Sequence, residues 1–262
     1  MKSTNEKRWG DLDQLIVNGW LSIPDAHASE TMAQAGWDSL TVDMQHGIHD
    51  YRSLVDCIRA VELHSVFPMV RVVSNATGDI GKALDAGAWG VICPMINTEE
   101  DARSFVAACR YPPQGQRSYG PVRAAIYSEP GTYHQSANTR VRCVVMIETR
   151  QALENLEAIL DVPGVDAVYV GPGDLGFSLG YGPKLDREEP EIIDIFERVI
   201  RETHRRGIRA GLHTGSPQYA VRAYAMGFRL LTVGSDAGFM MSGARNSVHT
   251  MLVTCGREGE TS

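Results

Sequence analysis

At 262 residues, with 43% hydrophobic and 22% charged side chains, the chain has the length of one large α/β barrel, about 250 residues in a single domain, and the composition of an ordinary globular protein. The formal net charge of -7 comes without any Lys/Arg run, which argues against a nucleic-acid partner because phosphates demand a basic stripe. No apolar run is long enough to span a bilayer, and residues 1–11 are charged with no apolar core behind them, so neither a membrane anchor nor a signal peptide is expected and the cytoplasm is the expected compartment.

Taken in chain order, short β-rich apolar runs recur at 19–23, 39–43, 68–72, 90–94, 142–147, 167–171, 208–212 and 230–234. Longer segments of helical period lie between them, at 50–63, 98–109, 150–160, 189–206 and 217–226. This alternation is the signature of parallel βαβ units, and eight is the number that closes a (β/α)₈ TIM barrel, here expected as a single domain over 1–262. Gly36, Gly87, Gly164, Gly207 and Gly227 each fall just before a strand, where a preceding helix needs a left-handed cap. The connection at 111–140 is long and rich in Gly, Pro, Ser and Tyr, and is read as a functional loop whose part at 111–127 forms a substrate lid. The tail at 255–262 is polar and expected to fray. Five cysteines without a CxxC pair are read as reduced thiols, mostly buried.

Catalytic groups of such barrels sit at the C-terminal ends of strands, so the polar residues at those ends carry the functional reading. The second strand ends in Asp43-Met-Gln-His46-Gly, the third in Arg71, the fifth in Glu148-Thr149 and the sixth in Gly171-Pro172-Gly173-Asp174. Glu148 and Asp174 close consecutive strands, so two hard carboxylate ligands can converge on Mg²⁺ or Mn²⁺ and leave positions for substrate and water. The competing reading makes Glu148 a helix cap and Asp174 a turn acceptor. Arg71 offers a planar cation for a carboxylate or enolate oxygen, or else an ion pair with Asp43 or Glu148. His46 lies three residues after Asp43, within reach of a carboxylate that would orient its imidazole as a general base; a packed histidine is the alternative. The run from Gly171 to Gly176 spells GxGxxG, but it follows the sixth strand, Pro172 stiffens the turn, and no ribose-binding acid stands out about 20 residues on, so bare backbone N–H groups for a substrate carboxylate are the better reading. Leu212, His213 and Thr214 after the seventh strand, with Trp20, either shape the second substrate's pocket or pack. None of the four lysines lies in a strand run, which argues against Schiff-base chemistry.

These residues resemble the HpcH/HpaI family of class II, metal-dependent pyruvate aldolases, over roughly residues 19–238. The likeness is carried by Gly36-Trp-Asp38, Asp43-Met-Gln-His46-Gly, Pro68-Met-Val-Arg71, Leu84-Asp85-Ala-Gly87, Val91-Ile-Cys-Pro94-Met, Arg110-Tyr-Pro-Pro113-Gln-Gly-Gln-Arg117, Ile147-Glu148-Thr149 and Val165 to Leu175. The resemblance implies reversible cleavage of 4-hydroxy-2-oxo acids to pyruvate, or a related 2-oxo acid, and an aldehyde. It implies Glu148 and Asp174 as ligands of a divalent cation, Mg²⁺ or Mn²⁺ first and Co²⁺ or Zn²⁺ next. It further implies Arg71 on the pyruvyl oxygens, a His46–Asp43 acid/base dyad, and the Gly171-Pro172-Gly173 backbone and Leu212 in substrate binding. A homo-oligomer, a hexamer, is implied too, in which a helix packs across subunits and Asp85 reaches a neighbour's site. Gln45, Met146 and Gly173 depart from residues common in the family (Glu, Gln and Ala), without deleting a proposed ligand or base.

Two other classes compete. A CoA-ester lyase on the same barrel would need a basic groove, which the Arg- and Tyr-bearing loop at 111–127 would have to supply. A non-catalytic oxo-acid binder would retain the acid without turning over any aldol.

Overall fold

The computed structural model describes residues 8–126 and 128–257; residues 1–7, Tyr127 and residues 258–262 lie outside the described residues, and with them most of the tail expected to fray. Eight parallel strands, β1 (Ile16–Leu21), β2 (Ser39–Asp43), β3 (Phe67–Arg71), β4 (Gly90–Cys93), β5 (Arg142–Ile147), β6 (Ala167–Val170), β7 (Arg209–His213) and β8 (Leu230–Ser235), close into a barrel in chain order. Around them run α1 (Ala26–Ala33), α2 (Tyr51–Leu63), α3 (Thr77–Asp85), α4 (Glu99–Cys109), α5 (Tyr133–Arg140), α6 (Arg150–Glu154), α7 (Leu156–Leu160), α8 (Pro172–Leu179), α9 (Pro190–Arg205), α10 (Pro217–Met226) and α11 (Asp236–Thr254). Among the described residues no helix is long and apolar enough to cross a membrane.

The alternation of side chains along each strand divides the core in two. Met69, Ile92, Val144, Met146, Tyr169 and Leu230 meet inside the barrel. Their neighbours Val70, Val91, Val145, Val168, Leu212 and Leu231 lie in the larger cluster between strands and helices. Helix α9 shows what holds the outer layer: Ile192, Phe196 and Val199 recur at helical spacing and are buried, each stabilising the fold by about 1.5–3 kcal/mol. Several helix starts carry side-chain caps. Asp50 and Thr98 form capping boxes with Ser53 and Asp101, and Thr149, Ser216 and Ser235 accept from the first turns of α6, α10 and α11, a device typically stabilising by about 1 kcal/mol. The five pre-strand glycines all have positive φ, from +66° at Gly207 to +124° at Gly227, as a left-handed helix exit requires.

Two boundaries moved for physical reasons. The first strand begins at Ile16, three residues before the expected run, because Asn18 breaks the apolar reading while being fully buried inside the barrel. There it bonds the hydroxyls of Ser39, Thr41 and Thr232. The segment after the sixth strand, for which no helix was expected, is helix α8, with Gly171 as its cap and Pro172 in its first turn.

The long connection sits at the other end of the barrel from the one expected. Helices here run back from the strand ends to the strand starts, so the link from α4 to β5 lies at the N-terminal face. Ala124 N donates to Asp85 O at the end of α3, and the segment walls a cavity of about 520 Å³ with Phe67, Pro68 and Trp89, at the starts of β3 and β4. The described part of 111–127 is therefore no lid over its own chain's strand ends. The same face is plugged by Arg209, fully buried, which donates to the backbone carbonyls of Arg8, Asp11 and Gln14 beneath Trp9. Burial lowers this guanidinium to about 10.

Candidate active site

At the opposite face, β2 and β3 pair in register through Asp43 and Arg71. Arg71 Nε donates to Asp43 Oδ1 at 2.8 Å and Nη2 to Oδ2 at 2.6 Å, the two-pronged geometry that a guanidinium and a carboxylate share. Trp20 Nε1 donates to Oδ2 at 3.0 Å, and the backbone N–H groups of Gln45 and His46 reach Oδ1 at 3.1 and 3.3 Å. Burial alone would raise the Asp43 carboxyl, but Arg71, Trp20 and the His46 amide together hold it below the ordinary value. Of the alternatives for Arg71, the ion pair with Asp43 is the one formed, and the guanidinium also lies 5.0 Å from the Trp20 ring centroid.

The expected His46–Asp43 dyad takes a different form. Asp43 is committed to Arg71 and binds His46 only through its main chain, while the His46 side chain is exposed and takes no hydrogen bond from the described residues. The carboxylate thus fixes the 43–47 turn and the guanidinium; it does not orient the imidazole.

Glu148 at the end of β5 is 2% exposed, and its Oε1 accepts the Met95 N–H at 2.8 Å. Met95 holds a left-handed conformation, φ +56°, to aim that amide, an unusual state for a residue with a Cβ. Helix α6 is capped by Thr149, so Glu148 is no helix cap. Its carboxyl is raised by burial and by the negative charge of Asp174, against the Met95 amide and Arg71. Asp174, in the first turn of α8, is exposed and takes no hydrogen bond from the described residues, so the turn-acceptor reading fails as well. Two carboxylates that repel each other, one buried and one unengaged, present free hard oxygens to one mouth. That donor set fits a divalent cation whose other positions go to water and substrate; among the described residues no cluster of three or more His, Cys, Asp or Glu offers an alternative.

The turn between β6 and α8 is built for close approach. A Cβ on Gly171 would lie 2.5 Å from Glu148 Oε2 and 3.0 Å from Met146 Cε, whereas one on Gly173 would meet nothing within 4 Å. Pro172 O accepts from Arg187 Nε at 3.1 Å and Nη2 at 3.0 Å. Arg187 is fully buried and packs so tightly under α8 that a Cβ on Gly176 would sit 1.6 Å from its Nη2. The GxGxxG spelling therefore reflects an arginine anchor and a carboxylate neighbour, not a dinucleotide.

One expected substrate contact, Leu212, faces away from the mouth, and Asp85, expected at a neighbour's site, lies outside this chain's own. Leu212 is fully buried in the layer between strands and helices, so its side chain faces away from the mouth. Asp85 ends α3, at the N-terminal face, paired with the buried Arg117 at 2.9 Å. Arg117 is stacked on Tyr111, and Arg123 donates to Ala86 O and Glu62. These loop arginines are spent inside the fold, so the basic groove that a CoA-ester lyase would need is not formed by them. What the sequence reading underused is His213. The last residue of β7, it lies next to Tyr169 and Trp20 inside the barrel, and its inward direction follows from the alternation that turns Leu212 outward.

The family model described as HpcH/HpaI aldolase/citrate lyase matches residues 18–242. A hydroxypyruvate/pyruvate aldolase of Rhizorhabdus wittichii is 38% identical over 230 residues, covering 88% of this chain and 91% of the relative. A 2-keto-3-deoxy-L-rhamnonate aldolase of Klebsiella pneumoniae is 36% identical, covering 83% and 81%. The crystal structure of an HpcH/HpaI aldolase/citrate lyase family protein from Burkholderia cenocepacia superposes with a TM-score of 0.88 at 31% identity, over 95% of this chain and 99% of that one.

Proposed function

This chain belongs to the HpcH/HpaI aldolase/citrate lyase family, and on that premise we propose that it is a carbon–carbon lyase, a class II aldolase that reversibly cleaves 4-hydroxy-2-oxo acids to pyruvate or a related 2-oxo acid and an aldehyde. The observation that carries the reading is the pair Glu148 and Asp174 at successive strand ends, both with uncommitted oxygens, across the mouth from a fixed Arg71. The aldolase names of the relatives support the same class.

A divalent cation held by Glu148 and Asp174, Mg²⁺ or Mn²⁺ first and Co²⁺ or Zn²⁺ next, would supply Lewis-acid charge beside the keto oxygen. Everything else falls to the chain's own groups. Asp43 keeps the Arg71 guanidinium rigid, so its remaining N–H groups face the oxygen on which charge develops at no reorganisation cost. The first turn of α8, Gly171 to Asp174, offers backbone N–H groups and the positive end of the helix to the substrate carboxylate. His46 takes the proton of the C4 hydroxyl as the C3–C4 bond breaks; the bonding pair moves into the enolate, and the aldehyde leaves. Protonation of C3 then yields the 2-oxo acid, and the steps reverse in synthesis.

The finer readings have separate supports. From residue 238 to 251 helix α11 is exposed, with Phe239, Met240, Met241, Val248 and Met251 in water, and such a helix favours burial against another copy in a homo-oligomer, a hexamer. Asp85 lies at the far end of the barrel from its own chain's mouth, so a substrate contact from it would be made with a neighbour. Four buried free thiols suit the cytoplasm. The test is pyruvate release from a panel of 4-hydroxy-2-oxo acids, with chelator and with each metal restored. Arg71→Ala and His46→Ala are each expected to lose at least 100-fold in turnover, and wild-type rates in both would overturn the assignment.

A further inference from the structure

A hydrogen-bonded chain of uncharged groups crosses the barrel from wall to mouth. Asn18 Oδ1 accepts from Ser39 and Thr41, and Asn18 Nδ2 donates to Thr232 Oγ1 at 2.8 Å. The Tyr169 hydroxyl lies 2.5 Å from Thr232 Oγ1 and 3.0 Å from His213 Nδ1. Proton accounting fixes its direction. If Tyr169 donated to Thr232, the Thr232 proton would have no acceptor among the described residues. If Thr232 donates to Tyr169 and Tyr169 to His213 Nδ1, each hydroxyl proton is accepted, and the imidazole proton is left on Nε2. That nitrogen takes no hydrogen bond from the described residues, and it lies on the far edge of the ring from Tyr169, at the C-terminal end of β7. The ring is wedged edge-on against Trp20, centroids 5.0 Å apart, so it cannot swing away without unpacking the tryptophan.

We propose that His213 is a specificity-determining residue that donates its Nε2–H to a hydroxyl oxygen on C3 of the 2-oxo acid, the carbon next to the keto group. The assignment rests on the aldolase reading above. With the carboxylate and keto oxygen turned toward α8, Glu148 and Arg71, the rest of the acid extends toward the arc of Trp20 and His213. A carboxylate already has charged and backbone partners there; what an uncharged fixed donor adds is discrimination. An acid with a C3 hydroxyl pairs the N–H directly, whereas one with a bare methyl displaces water from the half-buried ring edge and offers the N–H no acceptor, which lowers its relative affinity. Burial, with Arg71 nearby, keeps the imidazole neutral by lowering it to about 4, so the donor does not titrate across the physiological range.

The test compares 3-hydroxypyruvate with pyruvate as the acid, at one fixed aldehyde and saturating Mg²⁺, by the ratio of their kcat/KM values, and by the ratio of their Kd values in calorimetry with no aldehyde present. His213→Leu is expected to cut both ratios at least tenfold while turnover of pyruvate persists. His213→Gln, whose amide restores a donor, is expected to recover part of the loss. Tyr169→Phe, which frees the ring to change tautomer, is expected to lower the ratio by a smaller factor and serves if His213→Leu does not fold. Unchanged ratios in His213→Leu, or in Tyr169→Phe if it alone folds, would overturn the proposal, as would a loss equal for both acids. Should the wild type turn over neither acid, the aldolase reading fails while the calorimetric ratio still decides the role of His213.

Discussion

Replacing Asp43 by Asn removes the counter-charge of Arg71 while keeping the shape of the side chain. The pair is deeply placed, with side chains 4% and 11% exposed, and stripping one partner from a buried pair costs about 3–5 kcal/mol because the other charge is left uncompensated. Arg71 still faces the solvated mouth and the negative charge of Glu148, so about 2–3 kcal/mol is the expected loss after that discount. For a chain of this size the melting temperature should fall by about 4–12 °C. The sign with pH follows from the lowered Asp43 carboxyl: its stabilisation is fully present above the ordinary value of 3.8 and is lost only as the pH falls through the lower folded-state value. Wild type and variant should therefore differ at pH 7 and converge only in strong acid. Adding Arg71→Met should recover at least half the loss, because neither charge is then orphaned. Calorimetric melting of Asp43→Asn, Arg71→Met and the double variant is the assay. A drop under about 1 kcal/mol in Asp43→Asn, or strictly additive losses in the double variant, would refute the reasoning.

Two further perturbations probe the mouth. Glu148 is raised by burial and by Asp174, so in metal-free protein its contribution is fully present below the ordinary value of 4.5 and is lost as the pH rises through the folded-state value. Glu148→Gln should accordingly melt above metal-free wild type at pH 8 by about 2–4 °C per kcal/mol relieved and match it near pH 4; a variant less stable at both would contradict this. Gly171→Ala places a Cβ 2.5 Å from Glu148 Oε2, and displacing that oxygen should weaken Mn²⁺ binding and turnover by about 10–100-fold with the fold retained. Near-wild-type Mn²⁺ affinity in that variant would show that the carboxylate is not held where the steric argument puts it.

The barrel was legible because eight strands and their glycine exits are written in local pattern. Strand ends followed, and with them Asp43, Arg71, Glu148 and Asp174, since topology alone delivers those positions to one face. Pairing was less legible: Asp43 could reach His46 in sequence, but a guanidinium on the adjacent strand in register competes better for both its oxygens. Leu212 and His213 differ by one residue and so by one face of the sheet, a distinction that depends on strand register and that spacing alone left open. The long 111–140 connection was placed at the wrong end because its composition suggested function, while its position after a helix and before a strand put it at the N-terminal face. Arg187 gave no signal for its role under α8, since the partners that anchor it there, the carbonyls of Pro172 and Gly182, carry no side-chain identity, and its ion pair with Glu189 two residues on points to no site.

Manganese binding followed by electron paramagnetic resonance in wild type, Glu148→Gln and Asp174→Asn addresses the mouth of the barrel most directly. One ion per chain in the wild type, with affinity reduced at least tenfold by either substitution, is the expected result. Undiminished binding in both variants would mean that the ion, and the chemistry assigned around it, belongs elsewhere in the molecule.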